Sequence, residues 1–161
     1  MNFLDWLGLT SSKDALAVDD AAPDVVSRDE NDCKVRLADF YHDGITLVYF
    51  YPKADTPGCT DQACSLRDDF EKLQSYGVRV VGVSSDRPNA QRRFKRKFNL
   101  PFTLLADHDH AVARAFGVRL LLGMPHRQSF LIQDGKIIWR DLHASTRQQA
   151  RDVMAALGKF D

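Results

Sequence analysis

The chain has 161 residues, 44% of them apolar and 27% charged, enough for one compact domain that buries roughly two thirds of its unfolded surface. Twenty-two basic side chains balance twenty-two acidic ones, which removes the field that would draw a whole domain onto nucleic acid or anionic lipid. No apolar run approaches the ~20 residues needed to span a bilayer, so the composition predicts a soluble protein with neither a membrane nor a nucleic-acid partner.

Asp5 stands where a secretory signal carries Lys or Arg, and the apolar patch at residues 3–9 is short and interrupted, so export is not expected. Three cysteines are too few, and odd in number, for a secreted disulfide framework. The expected compartment is a reducing one, the cytoplasm. Residues 1–21 read as a leader and residues 22–161 as the domain. Phe3, Leu4, Trp6, Leu7 and Leu9 allow a turn or two of amphipathic helix, either a frayed end or a partner or oligomer contact. The acidic, polar stretch that follows runs into a short hairpin.

Residues 45–51 are β-branched and aromatic almost throughout and stop at Pro52, the pattern of a central strand buried on both faces of a parallel sheet. Beyond a loop at 52–57, Ala63, Leu66, Phe70 and Leu73 recur three and four apart and Gly77 supplies a stop, which predicts one helix. A strand at 78–84, a helix at 89–98 and a short strand at 102–105 follow. A short helix at 110–116 comes next, then strands at 129–132 and 136–140 around Asp134-Gly135, a tight-hairpin signal. Residues 120–126 read as a buried connection. Ser145 with Gln148 three residues on forms a capping box for a closing helix that buries Ala150, Val153, Met154 and Leu157 and ends at Gly158. The order β-α-β-α-β-α-β-β-α predicts an α/β fold, a mixed central sheet flanked by helices on both faces with an N-terminal hairpin extension. In such sheets chemistry sits at the carboxyl end of a central strand.

That end leads into Pro52-Lys53-Ala54-Asp55-Thr56-Pro57-Gly58-Cys59-Thr60. Thr56 before Pro57 is the expected N-cap and first helical residue, the hydroxyl accepting from an unpaired amide and the proline having none to leave unpaired. Cys59 then falls in the first helical turn, where free amides and the helix dipole favour an anion, so it is placed to be a thiolate. Cys64 is five positions on, about 8.7 Å between Cα atoms in an unbroken helix, whereas a disulfide needs less than about 7 Å. A bond between them requires this segment to unwind. Zinc is disfavoured, because structural sites commonly use two Cys-x2-Cys pairs and no second pair or spaced His cluster exists here.

The run from Pro52 to Thr60 matches the Pro-x-x-x-Thr-x-x-Cys signature of peroxiredoxins. With Cys64 it resembles the peroxiredoxin Q group, also called bacterioferritin comigratory proteins, and the similarity extends over most of residues 37–161. The resemblance implies a thioredoxin-like fold and a thiol peroxidase acting on hydrogen peroxide and organic hydroperoxides. It implies Cys59 as the peroxidatic nucleophile, Cys64 as the resolving thiol in a Cys59–Cys64 disulfide, and Thr56 as the hydroxyl that orients peroxide and thiolate. Pro52 would shield the sulfur from water, and Arg127 would be the active-site cation. Thioredoxin or a similar dithiol would recycle a monomer that needs no metal, haem or other cofactor.

Arg67 is a rival cation, read as a surface ion-pair partner beside Asp68. Arg92, Arg93, Lys95, Arg96 and Lys97 read as a solvated helix face, His126 as a residue that tunes Arg127 or merely adjoins it, and Cys33 as an incidental thiol. Two other functions fit a close cysteine pair: a protein dithiol-disulfide oxidoreductase, although the gap is four rather than the usual two, and a redox-sensing module whose helix melts on oxidation.

Overall fold

The computed structural model describes residues 15–158; the apolar patch at residues 3–9 lies outside them. Nine strands and five α-helices are present among the described residues. Strands β1 (Val26–Arg28) and β2 (Lys34–Arg36) form the N-terminal hairpin. A five-stranded sheet has β5 (Thr103–Ala106) at one edge, then β4 (Val78–Ser84), β3 (Ile45–Phe50), β8 (Ser129–Gln133) and β9 (Lys136–Asp141). The first three strands are mutually parallel, while β8 runs antiparallel to both β3 and β9. Residues 19–22 follow the β9 edge, with Asp19 N donating to Ile137 O and Ala22 N to Gly135 O, both at 2.8 Å.

Strand β3 is central because its side chains are apolar on both faces, and from Leu47 to Phe50 all are fully buried. Leu47, Tyr49 and Tyr51 pack on one side with Ala63, Leu66, Phe94 and Val153. These belong to helices α1 (Pro57–Asp68), α3 (Pro88–Phe98) and α5 (Gln149–Leu157). Val48 and Phe50 pack on the other with Val112 and Phe116 of α4 (Ala111–Phe116). There the rings of Phe50, Phe116 and Phe130 meet at centroid distances of 5.1 to 6.1 Å. Fully burying one such ring is worth about 2–3 kcal/mol, so this cluster fixes which face of β3 looks toward α4.

Three expectations change. The single helix expected after β3 is two, with Asp69 (φ −103°, ψ 15°) between α1 and α2 (Phe70–Ser75). Adjacent Asp68 and Asp69 are poor helix formers, while the second piece still buries Leu73. The closing helix starts at Gln149, not Ser145. The Ser145 hydroxyl accepts from the amides of Arg147 and Gln148, forming a turn that precedes the helix, and Gln148 makes no side-chain cap bond. The stretch expected to be a buried connection is a small hairpin, β6 (Leu120–Leu121) with β7 (Met124–Pro125). Its turn leaves Leu121 and Leu122 about half exposed. The Asp134-Gly135 turn forms as expected, with φ of 52° and 74°, the two positive values that a right-twisted two-residue hairpin requires.

Candidate active site

The site is assembled at the carboxyl end of β3, where the chain passes through a loop at 52–56 into α1. Four buried or half-buried links hold the loop. Tyr51 Oη donates to Gln91 Oε1 at 2.5 Å, Gln91 Nε2 donates to Ser84 Oγ at 3.0 Å, Ser84 Oγ donates to Asp86 Oδ2 at 2.6 Å, and that oxygen also accepts from Ala54 N at 2.7 Å. Pro52, half-buried, begins the loop directly after Tyr51.

Thr56 is the N-cap, with extended backbone (φ −95°, ψ 155°), and its carbonyl accepts the first helical bond from Thr60 N at 2.8 Å. Its hydroxyl does not cap the helix as expected. It donates to Lys53 O at 2.7 Å instead, because the loop folds that carbonyl back beneath it. The hydroxyl proton is thereby committed and its lone pairs remain as acceptors. The amides of Gly58 and Cys59 carry no side-chain cap, which leaves the positive end of α1 facing Cys59.

Cys59 lies in the first turn of α1 and is 1% exposed. Arg127 reaches it from just before β8, with Nη2 3.5 Å from Cys59 Sγ and Nη1 donating to Gln62 Oε1 at 2.6 Å. A Cβ at Gly58 would stand 3.1 Å from Arg127 Nη2, so the missing side chain makes room for the guanidinium. The Cys59 sulfur is thus held between a guanidinium and the positive end of a helix.

Cys64 lies in the same helix and is half-buried; both cysteines are free. Burial pushes its thiol up, with Arg67 opposing and Asp68 and Asp61 adding to the effect. Arg67 bonds to Asp68 and to the Phe98 carbonyl, as an ion-pair partner would. The His126 imidazole is held below its ordinary value by burial and then by Arg119 and His143, so it adds no cation beside Arg127. Cys33 is exposed in the β1–β2 turn. No helix of the described residues is long and apolar enough to cross a membrane.

Sequence reasoning missed three polar residues behind the site. Gln62 Nε2 donates to Gln149 Oε1 at 2.9 Å, and Ser129 Oγ donates to the same oxygen at 2.6 Å. All three residues are fully buried. Gln62 had a signal: three positions from Cys59, it shares the buried face of Ala63 and Leu66, where a glutamine needs partners.

The family model described as AhpC/TSA family matches residues 18–140. The chain belongs to that family and is a thiol-dependent peroxidase, an oxidoreductase with a thioredoxin-like fold. Within the family its relatives are the Bcp and Q-type peroxiredoxins. It is 48% identical over 130 residues to peroxiredoxin Bcp of Escherichia coli K12, covering 76% of this chain and 83% of that protein. It is 40% identical over 120 residues to the chloroplastic peroxiredoxin Q of Oryza sativa subsp. japonica, 73% of this chain and 55% of the plant protein. Among solved structures, peroxidoxin BcpB of Mycobacterium tuberculosis superposes with a TM-score of 0.84 at 32% identity, over 91% of this chain and 99% of that one. Peroxiredoxin Q of Xanthomonas campestris gives 0.77 at 26% identity, over 84% and 90%.

Proposed function

We propose that the chain reduces hydrogen peroxide and organic hydroperoxides by a two-cysteine cycle on Cys59 and Cys64. The observation that carries the reading is the 3.5 Å approach of Arg127 Nη2 to Cys59 Sγ, made across 68 residues of sequence, at a helix start whose amides are left open.

The Cys59 thiolate attacks one peroxide oxygen, the O–O bond breaks, and the departing alkoxide or hydroxide takes a proton to leave as alcohol or water. Charge moves from sulfur along the O–O axis. Arg127 and the Cys59 amide stabilise it as donors, the Thr56 hydroxyl orients the peroxide by accepting from its proton, and Pro52 limits water at the sulfur. Cys59 is left as a sulfenic acid. Segment 59–64 then unwinds, the Cys64 thiolate attacks the Cys59 sulfur, the S–O bond breaks and hydroxide departs, taking up a proton to leave as water. Burial pushes the Cys64 thiol up inside the helix, a penalty on its thiolate that unwinding removes. An external dithiol protein, thioredoxin or one like it, takes the disulfide and returns two thiols. The enzyme works as a monomer in a reducing compartment such as the cytoplasm. A relative from Xanthomonas campestris, a bacterioferritin comigratory protein with a TM-score of 0.76 and 25% identity, carries alkyl peroxide reduction activity, which supports the organic substrates.

The test is intact mass after one equivalent of peroxide. Wild type should lose two hydrogens, mapped to Cys59 and Cys64, while Cys64→Ser gains one oxygen and stalls. Cys59→Ser should consume no peroxide; retention of the wild-type rate would end this reading.

A further inference from the structure

The buried chain Arg127–Gln62–Gln149–Ser129 has a direction that chemistry fixes. A guanidinium has only donors, so Gln62 must turn its oxygen to Arg127 Nη1 (2.6 Å). Its amide nitrogen is thereby committed to Gln149, at 2.9 Å. Gln149 must then present its oxygen, which accepts a second bond from Ser129 Oγ at 2.6 Å. Its own amide nitrogen is sealed with no partner, as the arrangement demands, since flipping the carboxamide would set donor against donor. A buried donor left unpaired is costly. Gln149 is retained here for its oxygen.

Gln62 lies between Cys59 and Cys64. While α1 is intact it joins Arg127 to α5, and the unwinding that lets Cys64 reach Cys59 must pull it away from both. Among the described residues Gln149 touches neither cysteine through any hydrogen bond. From this geometry we infer that Gln149 is a positioning residue with two effects exerted through Gln62: it holds Arg127 against Cys59 in the folded helix, and it latches α1 against unwinding. The inference rests on the two-cysteine cycle proposed above. Removing the latch should slow the peroxide step and speed closure of the disulfide, a pair of opposite changes that general destabilisation does not produce.

The experiment compares Gln149→Met, Gln62→Met and the double variant with wild type and with Val153→Ala, which thins the core packing of α5 one turn further along the same face without removing any of these hydrogen bonds. Rapid-quench intact mass after one equivalent of peroxide follows two rates, gain of one oxygen and then conversion to the disulfide. Gln149→Met should lower the first about tenfold, the size of one buried hydrogen bond, and raise the second about threefold or more as the unwound population grows. The double variant should match Gln62→Met alone, because both proposed effects run through Gln62 rather than through the Ser129 hydroxyl, the other partner of Gln149. Val153→Ala should lower Tm and leave both rates within about twofold, because it keeps every bond of the Arg127–Gln62–Gln149 chain. Closure no faster in Gln149→Met than in Val153→Ala, or additive losses in the double variant, would overturn the latch. Failure of the wild type itself to gain oxygen and then lose two hydrogens would instead sink the underlying cycle, so the two failures are told apart.

Discussion

Helices α1 and α3 begin alike and differ in what they are fastened to. Each opens with proline in its first turn after an extended N-cap residue, Thr56 or Arg87, that makes no side-chain cap bond. Each also buries one glutamine. Gln91 of α3 bonds to Tyr51, Ser84 and the Leu105 carbonyl, groups on or next to three mutually parallel strands. Gln62 of α1 bonds to the side chains of Arg127 and Gln149, and it lies between Cys59 and Cys64, in the segment that opens in the proposed cycle. Helix α3 closes on Asn99 in the left-handed conformation, with Leu100 N returning to Lys95 O at 3.0 Å, a firm stop. Helix α1 runs out at Asp69 without a left-handed cap. The same buried side chain thus anchors the fixed rim of the site in one helix and the movable part in the other.

A third helix start sharpens the contrast and carries the largest expected effect. The amides of Val112 and Ala113 at the start of α4 are closed by Asp107, whose oxygens accept from both at 2.9 Å. Burial pushes the Asp107 carboxyl up to about 7 in spite of these donors. Its ordinary value is about 4, so the native state holds this proton more tightly than the unfolded chain. The contribution is fully present below about pH 4 and is lost as pH rises through about 7, on the order of a few kcal/mol. Asp107→Asn should therefore gain stability relative to wild type as pH rises from about 4 to 8. Denaturant melts at intervals across that range measure it. A constant difference would mean that the carboxylate is ionised in the fold, with its two amide bonds sufficient to hold the charge.

Next in size is the fixed glutamine. Gln91→Met leaves Tyr51 Oη and the Leu105 carbonyl without their partner, which costs about 2 kcal/mol and lowers Tm by about 4–8 °C for a domain of this size. Disulfide closure after one equivalent of peroxide should remain within about twofold of wild type, since α1 keeps its own ties. Faster closure in this variant would erase the distinction between the two helices.

How far these roles were legible in the sequence depends on range. Cys59 stood out because Thr56, Pro57 and Gly58 state a helix start within four residues. The central strand stood out because no residue from Ile45 to Phe50 is charged. Arg127 is 68 positions from Cys59, and only resemblance to a family linked them. Gln149 stayed hidden because the Ser145 signal drew the helix start four residues too early, leaving no reason to ask which way its first side chain pointed. Thr56 was read through a local capping rule, and the loop supplied a nearer acceptor in Lys53 O. The Leu120–Pro125 hairpin turns on Leu122 at φ 53° followed by Gly123 at 76°, and a leucine rarely occupies that region, so the sequence offered no turn signal there.

The smallest expected effect concerns the surface ion pair between α3 and the loop that leads into α1. Lys97 of α3 bonds both carboxylate oxygens of Asp55 at 3.0 Å, and Asp55 stands in the loop before α1 at φ 61°. On distance alone this pair would hold the loop. Its side chains are 59% and 47% exposed, however, and pairs so open contribute about 0–1 kcal/mol. Asp86, half-buried, already accepts from Ala54 N at 2.7 Å, within the same loop and close to the sheet. Lys97→Ala should move Tm by less than about 2 °C and the peroxide rate by less than about twofold, whereas Asp86→Ala should lower both beyond those limits. Stopped-flow peroxide consumption beside thermal melts of the two variants decides it. A larger loss from Lys97→Ala than from Asp86→Ala would mean that α3 holds the site through its surface, and that the buried route through Gln91 and Ser84 is secondary.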